Sequence, residues 1–398
     1  MIDIKTILSK EGDWCKFMGY SNPYLDPYTH HITSTAVTGD QSAYRRFPEN
    51  NRVYDKLWVA KSQYMSCGKL EDLKNNEASI QFPIFIKPRW GHLSAASKNC
   101  YKINNISQLN KYLNYKDMMW SEFLDGTEGM TDFLLLNGRI VYQITYIYSD
   151  EQNGFTDVWK YVSPNTPAPP SIVNFVMNNI HEHTGFVNVQ YRLNKIIEIG
   201  LRPARSGMYI IGADCPALSK NIYNVLDKSF WDDSLDKDIT FEPYYVYKCY
   251  TRVPVIYIWP QRVIDTITPL FTDIPLYEYY FEPVNNEGVV FFQFMCRDHK
   301  TGMRSKQLIE FLFILTQLIF IILFGLIIFM LFTSKSHYKY GIVVVFILVW
   351  LTRFLNPLYV NYNCYKAYKQ IIFGAGSMKT PQEFDTATIE KRLGDRRD

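Results

Sequence analysis

Residues 185–200 read GFVNVQYRLNKIIEIG. The residues on each side of Leu193 and Asn194 have strand character, which predicts strands at 186–191 and 195–199 that pair as an antiparallel hairpin. Residues that lie opposite each other in such a pair share a face of the sheet. If the hairpin forms, Gln190 and Glu198 point to the same face. The stretch therefore predicts an amide and a carboxylate on one sheet surface.

The sequence before this hairpin continues the same pattern. Apolar runs at 131–136 and 139–147 flank Asn137-Gly138, and an Asn-Gly pair between such runs is the strongest short hairpin signal. The segment 82–87, FPIFIK, is typical of a buried strand, and a loop of small residues follows it. A further strand is predicted at 118–124. Helices are predicted at 54–65, 106–114, 171–183 (with Ser171 as N-cap) and 216–227, so the predicted fold class is α+β.

Three blocks of this region resemble the ATP-grasp superfamily: FPIFIKPRWGHLSAASKN at 82–99, WSEFLDGTEGMTDFLLLNGRIVYQ at 120–143 and GFVNVQYRLNKIIEIGLRPARSG at 185–207. They keep the family's order: a strand ending in lysine, a small-residue loop, a hinge strand with an acidic residue after its turn, a hairpin, and paired strands with metal ligands. The resemblance covers about residues 51–230. It implies an ATP-grasp domain that binds ATP.

The resemblance implies a set of nucleotide-binding residues, which are Lys56, Lys87, Gly91, His92, Ser94, Glu122, Leu124 and Glu128. The lysines would reach the phosphates, and backbone N–H groups of the loop 91–97 would cover them. That loop holds one glycine where relatives often have several. Glu122 and Leu124 belong to the adenine hinge, and Glu128 would bind the ribose. The alternatives are a solvated strand-end residue for Lys87 and a surface residue after a turn for Glu128.

The resemblance also implies a magnesium site at Gln190 and Glu198. Oxygen ligands suit magnesium, which takes few protein ligands and keeps several waters. Gly200 stands where the family's E-x-N motif has asparagine, so one protein ligand is lacking. Arg202 and Arg205 lie where family arginines stabilise phosphoryl transfer or an acyl-phosphate. The alternative is that both arginines are surface or structural residues.

The resemblance implies the activity of a ligase that depends on ATP and magnesium. A carboxylate would take the γ-phosphoryl group of ATP to give an acyl-phosphate and ADP, and an amine or thiol would then displace phosphate. The competing hypothesis is a non-catalytic membrane protein that uses an ATP-grasp scaffold for nucleotide binding or for structure. Gly200 and the glycine-poor loop favour that hypothesis. The identities of the carboxylate and the nucleophile are left open.

Two other features of the sequence have both a functional and a structural interpretation. His181 and His183 could form a metal pair, but they stand at the end of a helix without a third ligand, so a structural role is preferred. Aromatic residues at 244–257 could stack on bases, but they are more typical of a protein core.

Two apolar segments predict a transmembrane hairpin, and hence a lipid bilayer as partner. Residues 311–332 carry no charge, and about 20 apolar residues span a bilayer. Residues 340–360 form the second predicted span, which Arg353 interrupts. Arg353 is expected either to hydrogen-bond Thr316 and Gln317 or, in the preferred interpretation, to extend towards the nearer interface.

Basic residues set the predicted orientation. Lysine and arginine flank the two spans more densely than they occupy the loop between them, which holds Lys335 and Lys339. The positive-inside rule then places the soluble part and the C-terminus in the cytoplasm. The flanking residues are Arg297, Lys300, Arg304, Lys306, Lys366, Lys369 and Lys379.

Composition excludes several classes of protein. The 398 residues include 42 Lys and Arg and 39 Asp and Glu, a formal net charge of +3, and the basic residues are scattered. No nucleic-acid-binding surface is therefore expected. Aromatic residues make up 16%, which excludes wholesale disorder. The seven cysteines are widely spaced without a C-x-x-C motif, as is typical of reduced cytosolic thiols.

Five segments make up the predicted organisation of the chain. An irregular N-terminal region at 1–50 precedes the ATP-grasp domain at 51–239. A β-rich appendage at 240–305, the transmembrane hairpin at 306–362 and a polar cytoplasmic tail at 363–398 follow. The first region is too short for the α/β domain that usually precedes an ATP-grasp domain.

Overall fold

The computed structural model describes residues 37, 40–75, 80–90, 100–150, 152–153, 156–204, 208–211, 213, 215–259, 261–274, 277–284, 288–333 and 338–360. They form two compact units. The N-terminal unit comprises the described residues of 26–152 and 160–243, and the C-terminal unit comprises those of 153–159 and 244–378.

The strands are β1 (Cys67–Lys69), β2 (Ile84–Pro88), β3 (Tyr101–Ile103), β4 (Met118–Glu122), β5 (Glu128–Leu136), β6 (Arg139–Tyr148), β7 (Gln152–Asn153), β8 (Thr156–Asp157), β9 (Trp159–Ser163), β10 (Gly185–Arg192), β11 (Lys195–Gly200), β12 (Tyr244–Thr251), β13 (Tyr277–Val284) and β14 (Gly288–Cys296). The helices are α1 (Asp40–Arg46), α2 (Lys56–Lys61), α3 (Ile106–Leu109), α4 (Pro170–Asn179), α5 (Met208–Ile211), α6 (Pro216–Tyr223), α7 (Gln261–Phe271), α8 (His299–Thr333) and α9 (Tyr338–Val360).

The N-terminal unit holds two antiparallel groups of strands. The smaller sheet has the strand order β1-β4-β2-β3, and the larger group has the order β11-β10-β5-β6-β9. The predicted hairpin of β10 and β11 is confirmed. Its turn residues Leu193 and Asn194 have φ angles of 46° and 61°. The Asn137-Gly138 hairpin between β5 and β6 is also confirmed, and both of its turn residues have positive φ.

One face of β5, β10 and β11 forms the main core of the N-terminal unit. Phe133 lies opposite Val187, and Val189 lies opposite Ile199, so their side chains share this face. They pack against buried residues of α4 such as Ile172. Burying each such side chain contributes roughly 1.5–3 kcal/mol. The opposite face carries polar side chains, among them Gln190 and Glu198.

Several predicted helices end earlier than expected. The helix predicted at 54–65 is reduced to α2, and that at 106–114 to α3. The prediction of Ser171 as N-cap is wrong, because α4 begins at Pro170 and the Ser171 hydroxyl donates to the Asn194 carbonyl. The same helix ends at Asn179, since the backbone of Ile180 is extended.

The C-terminal unit has the strand order β12-β14-β13. Residues 253–259, which lie in the segment predicted to be β-rich, do not form a strand. The N–H groups of Ile256 and Tyr257 donate to the side-chain oxygen of Gln317 rather than to a neighbouring strand, at 2.9 Å each. Helix α7 was not predicted, because apolar residues there were interpreted as further strand.

Helix α8 passes from a buried to an exposed environment. In its first half, Phe313 is fully buried and stacks on Phe291 with ring centroids 3.9 Å apart. From Leu318 to Phe332 many large apolar side chains are exposed. By length and composition α8 could cross a membrane, whereas the continuous stretch of α9 whose side chains the structure describes, Tyr338–Leu348, is shorter. The predicted two-helix hairpin is therefore not established.

Polar side chains within α8 bind the same unit. The Gln317 amide also donates to the Tyr257 carbonyl at 2.9 Å, and Thr316 accepts from the Trp259 indole at 3.0 Å. The interaction expected between Arg353 and Thr316 or Gln317 falls outside the described side chains. Both of its proposed partners are engaged by the loop before α7.

Candidate active site

Helix α2 places Lys56 beside the polar face of the larger strand group. Asp55 caps this helix, and its carboxylate accepts from the Leu57 N–H at 3.0 Å. The same carboxylate binds Arg89 through two hydrogen bonds of 2.8 and 2.7 Å. Because Arg89 closely follows β2, this buried pair fixes the start of α2 to the end of the strand that carries Lys87.

The residues after α2 fix its other end to β11. The side-chain amide of Gln63 donates to the Ile196 carbonyl at 3.0 Å and accepts from the Ile196 N–H at 2.6 Å. The Lys195 ammonium donates to the Gln63 carbonyl at 2.8 Å. These bonds satisfy the outer edge of β11, and so α2 is held against the strand that carries Glu198.

Lys56 and Glu198 form an ion pair at this junction. The ammonium nitrogen lies 3.2 Å from the carboxylate, and the exposed fractions of the two side chains are 3% and 36%. Glu198 lies opposite Gln190 in the register of β10 and β11, so the predicted amide–carboxylate neighbours are on one face. The Gln190 amide contacts the Met130 sulfur at 3.8 Å.

Lys87 reaches the same place from β2. A bulge in the pairing of β10 with β11 leaves Ile197 outside the register, and Lys87 donates to its free carbonyl at 2.7 Å. Burial and, to a smaller extent, the positive charge of Lys56 together lower the pKa of Lys87 to about 8, against the opposing effect of Glu198. The two lysines and Glu198 are therefore close enough for their charges to interact.

Glu128 lies at the start of β5, opposite Arg192. Its carboxylate accepts from Arg192 at 2.9 and 3.2 Å. The alternative interpretation of Glu128 as a surface residue after a turn does not describe this geometry, because the side chain is largely buried and paired with Arg192. Arg192, which sequence reasoning missed, thus orients the residue assigned to the ribose.

Asp132 is a second residue that sequence reasoning missed. Its buried carboxylate accepts from Tyr146 at 2.7 Å, from Asn188 at 2.6 Å and from the Ala204 N–H at about 3 Å. Burial raises the pKa of Asp132 to about 6, although these hydrogen bonds lower it. Asp132 ties the segment after β11 to β5. In the sequence, Asp132 interrupts an otherwise apolar strand. A charged residue at such a position is the signal that could have identified it as part of the site.

Arg202 follows β11 and binds Asp40 of α1. The guanidinium Nε lies 2.5 Å from the Asp40 carboxylate. Gly200 lies beside this pair, since a Cβ atom there would be in ordinary contact with an Asp40 oxygen, 3.4 Å away. Asp40 lies in the region predicted as irregular, and sequence reasoning did not connect it with the site.

The remaining predicted residues are less closely defined. Glu122 ends β4, and the Leu124 side chain packs in the small cluster around Met119 and Leu57. Four predicted site residues lie outside the described residues: Gly91, His92, Ser94 and Arg205. The roles assigned to all these residues stay predictions.

His183 has a structural environment, as the preferred interpretation of the histidine pair predicted. It is fully buried, its ring nitrogen hydrogen-bonds the Phe186 carbonyl at 3.2 Å, and its ring packs edge-on against Phe47. Burial lowers the pKa of His183 to about 4.

Gln190 and Glu198 offer one amide oxygen and one carboxylate to a cation. Among the described residues, no group of three or more His, Cys, Asp and Glu side chains is arranged to hold a metal ion. A structural zinc site is thus not indicated in this part of the chain. The pair suits a magnesium ion that takes its other ligands from phosphate and water, because magnesium commonly binds one or two carboxylates together with substrate phosphates.

Comparison with known proteins defines the fold. No family model matches the chain. The large chain of carbamoyl phosphate synthase from Sulfurisphaera tokodaii is 25% identical over 212 residues, which cover 48% of this chain and 19% of that one. The L-amino acid ligase structure from Bacillus licheniformis has a TM-score of 0.50 and 12% identity, and the match covers 67% of this chain and 74% of that chain.

A further structural neighbour is N5-carboxyaminoimidazole synthetase from Staphylococcus aureus, solved with ADP, at a TM-score of 0.45 and 15% identity over 64% of this chain and 70% of that chain. These two neighbours are named as a ligase and a synthetase. The likeness to the L-amino acid ligase shows that this chain shares its fold of mixed helices and sheets. The match to the carbamoyl phosphate synthase spans about a fifth of that relative's length.

Proposed function

We propose that the chain is an ATP- and magnesium-dependent ligase that joins a carboxylate to an amine or thiol through an acyl-phosphate. The observation that carries this proposal is the convergence of Lys56, Lys87 and Glu198 beside Gln190 on an ATP-grasp-like fold. The ammonium groups of Lys56 and Lys87 and the oxygen ligands of Gln190 and Glu198 come from separate elements and meet at this face. That combination suits a magnesium-bound triphosphate.

The proposed chemistry proceeds in two displacements. An oxygen of the substrate carboxylate attacks the γ-phosphorus of ATP, the bond from that phosphorus to the bridging oxygen breaks, and ADP leaves. The amine or thiol then attacks the acyl carbon, phosphate leaves, and the nucleophile's proton passes to solvent or phosphate. Magnesium, when bound, supplies positive charge that stabilises the transferred phosphoryl group.

The side chains of this chain would bind and orient rather than form covalent bonds. Lys56 and Lys87 would hold the phosphates, and Gln190 and Glu198 would hold the cation. Glu128, oriented by Arg192, would accept hydrogen bonds from the ribose. Glu198 has to exchange its partner Lys56 for the cation. Its side chain is 36% exposed and can turn towards a cation, while the nucleotide phosphates would supply the negative charge that the buried Lys56 needs.

A non-catalytic nucleotide-binding protein is the second candidate. Gly200 supplies no side-chain ligand, and Arg202 is bound by Asp40. Such a protein would bind ATP and magnesium without turnover.

Phosphate release by the full chain in detergent separates the two candidates. The purified protein is incubated with ATP and magnesium and with a panel of amino acids, polyamines and small peptides. The ligase should release ADP and phosphate only with its substrates, and Glu198→Gln should strongly reduce this release. ATP binding without release across the panel would support the non-catalytic candidate, and absence of binding at millimolar ATP would exclude both.

We further propose that α8 anchors the protein in a membrane and that α9 returns across it, with the soluble part in the cytoplasm. This proposal is supported by the apolar, exposed second half of α8 and by the basic residues on its flanks. About 20 residues are needed to span a bilayer, and the span predicted at 311–332 supplies them, although contacts with the folded unit reach as far as Phe320, whose ring stacks on Tyr257. Protease protection of an epitope after Arg397 in sealed microsomes tests it. A protected tail beside an accessible soluble part would refute the hairpin.

A further inference from the structure

The carboxylate of Asp40 joins three groups around the end of β11. One oxygen accepts from the Leu201 N–H at 2.9 Å and from the Tyr54 hydroxyl at 3.1 Å. The other accepts from Nε of Arg202. Asp40 is the first residue of α1, so a helix far away in sequence contributes this carboxylate to the polar face.

Gly200 lies beside this carboxylate. Residues 198 and 200 of a strand point to the same face, so Gly200 adjoins Glu198 on the polar surface. A Cβ atom at position 200 would lie 3.4 Å from one oxygen of Asp40 and 3.7 Å from Cγ of Arg202. The Asp40–Arg202 pair therefore borders the place where a longer side chain at position 200 would extend.

Arg202 keeps donors available for a ligand. Asp40 binds its Nε, and the guanidinium makes no other hydrogen bond with a described residue. Its side chain is 47% exposed. Asp40 raises the pKa of Arg202, and Glu198 raises it by a smaller amount, so the guanidinium also lies near the proposed cation site. A guanidinium held by one edge presents its remaining N–H groups in a fixed fork, which matches phosphate oxygens.

We propose that Asp40 is a positioning residue that orients Arg202 towards the phosphoryl group in transfer. This inference rests on the proposed function and adds to it a residue outside the hairpin of β10 and β11. The partners of Asp40 show which of its interactions needs its charge. Leu201 and Tyr54 donate hydrogen bonds that an amide oxygen would also accept, whereas Arg202 is the charged partner.

Asp40→Asn therefore isolates the positioning role. The full chain is titrated by calorimetry with magnesium and ADP, and then with magnesium, ADP and aluminium fluoride, which mimics a phosphoryl group in transfer. In the wild type, fluoride should tighten binding of ADP. Asp40→Asn should leave the affinity for ADP alone within about twofold and should remove about tenfold of the fluoride-dependent gain, as expected for losing a charge-assisted hydrogen bond.

A double-mutant cycle connects the effect to Arg202. Asp40→Asn should cause no further loss in an Arg202→Ala background, because the positioned group is absent. Asp273→Asn is a matched control, since Asp273 pairs with Arg297 in the C-terminal unit. Its fluoride-dependent gain should equal that of the wild type.

The outcomes distinguish failure of the proposed function from failure of the role assigned to Asp40. A wild type that binds no ADP overturns the proposed function and this inference together. A full fluoride-dependent gain in Asp40→Asn, or a loss that persists in the Arg202→Ala background, overturns the role of Asp40 alone. If Asp40→Asn lowers the melting temperature by more than about 5 °C, Arg202→Lys replaces it. Arg202→Lys must then lose the same gain, because an ammonium lacks the guanidinium fork.

Discussion

Nucleotide binding should weaken as the pH rises above 8, because Lys87 loses its proton there. Burial and the charge of Lys56 lower the pKa of Lys87 to about 8 from an ordinary value of 10.5. Phosphate binds the charged ammonium. Below pH 8 most Lys87 is already charged, whereas above pH 8 each binding event must take up a proton. The affinity for ADP should therefore fall on the alkaline side only.

The size of the effect follows from the position of this pKa. At pH 8 about half of the Lys87 side chains are neutral, so ADP binding should take up about half a proton. Above that pH the dissociation constant should rise by up to about tenfold per unit, provided that Lys87 stays charged in the complex. ADP contributes little itself, since its phosphate ionises near pH 6.

Calorimetry in pairs of buffers with different ionisation enthalpies measures both the affinity and the proton uptake at pH 7, 8 and 9. Lys87→Arg should bind with a flat profile, because a guanidinium stays charged across this range. Lys220→Arg, an exposed residue of α6, is the matched control and should behave like the wild type. Equal affinity and no proton uptake from pH 7 to 9 in the wild type would refute the reasoning. An unchanged slope in Lys87→Arg would assign the titration to another group.

Three further predictions concern the same unit. Since burial raises the pKa of Asp132 to about 6, the charged form of this group is disfavoured in the folded chain, and the group should lower the free energy of unfolding by about 3 kcal/mol as pH rises from 4 to 7. Melting curves of Asp132→Asn should lack this loss of stability. If the wild type and Asp132→Asn lose stability equally with pH, the assignment is wrong. Lys87→Ala should weaken ADP binding even without magnesium, whereas Glu198→Gln should mainly reduce turnover and raise the magnesium requirement. If titrations show equal effects of the two variants that do not depend on magnesium, the phosphate-binding role of Lys87 and the metal-binding role of Glu198 are both contradicted. Gly200→Asn fits the local space at its Cβ and should lower the magnesium concentration needed for half-maximal ADP binding severalfold, while lost binding would indicate that Gly200 belongs to a rearranged site.

The strand pattern of the N-terminal unit could be predicted because its signals are local. Asn137-Gly138 and Leu193-Asn194 adopt the positive φ angles that tight turns need, and alternating residues around them fix which side chains share a face. The placement of Gln190 opposite Glu198 followed directly from this pattern. Element ends were less predictable, since residues distant in sequence bind the backbone there: Arg52 donates to the Asn179 carbonyl at the end of α4, and Lys195 donates to the Gln63 carbonyl just after α2.

The partners of the site residues could not be predicted, because they come from distant parts of the chain. Asp40 reaches Arg202 across 162 positions, and Lys87 reaches the Ile197 carbonyl across 110. The second contact also depends on a bulge, which inserts one residue into a strand without a clear sequence signature. Arg192 fell outside the predicted strands at 186–191 and 195–199, although its position opposite Glu128 follows from the register once both hairpins are joined through β5 and β10.

Burial separates the ion pairs that hold the fold from those that a ligand can exchange. Arg89 and Asp55 are 12% and 5% exposed, and breaking a buried pair by removing one partner costs about 3–5 kcal/mol. This pair fixes α2 to the end of β2, so it has to persist in every state of the site. The Lys56–Glu198 pair instead has a buried cation and a carboxylate that is 36% exposed. Glu198, the more exposed residue of this pair, is the one proposed to bind magnesium. Its side chain can therefore move to a cation while the buried Lys56 stays in position to bind the phosphates.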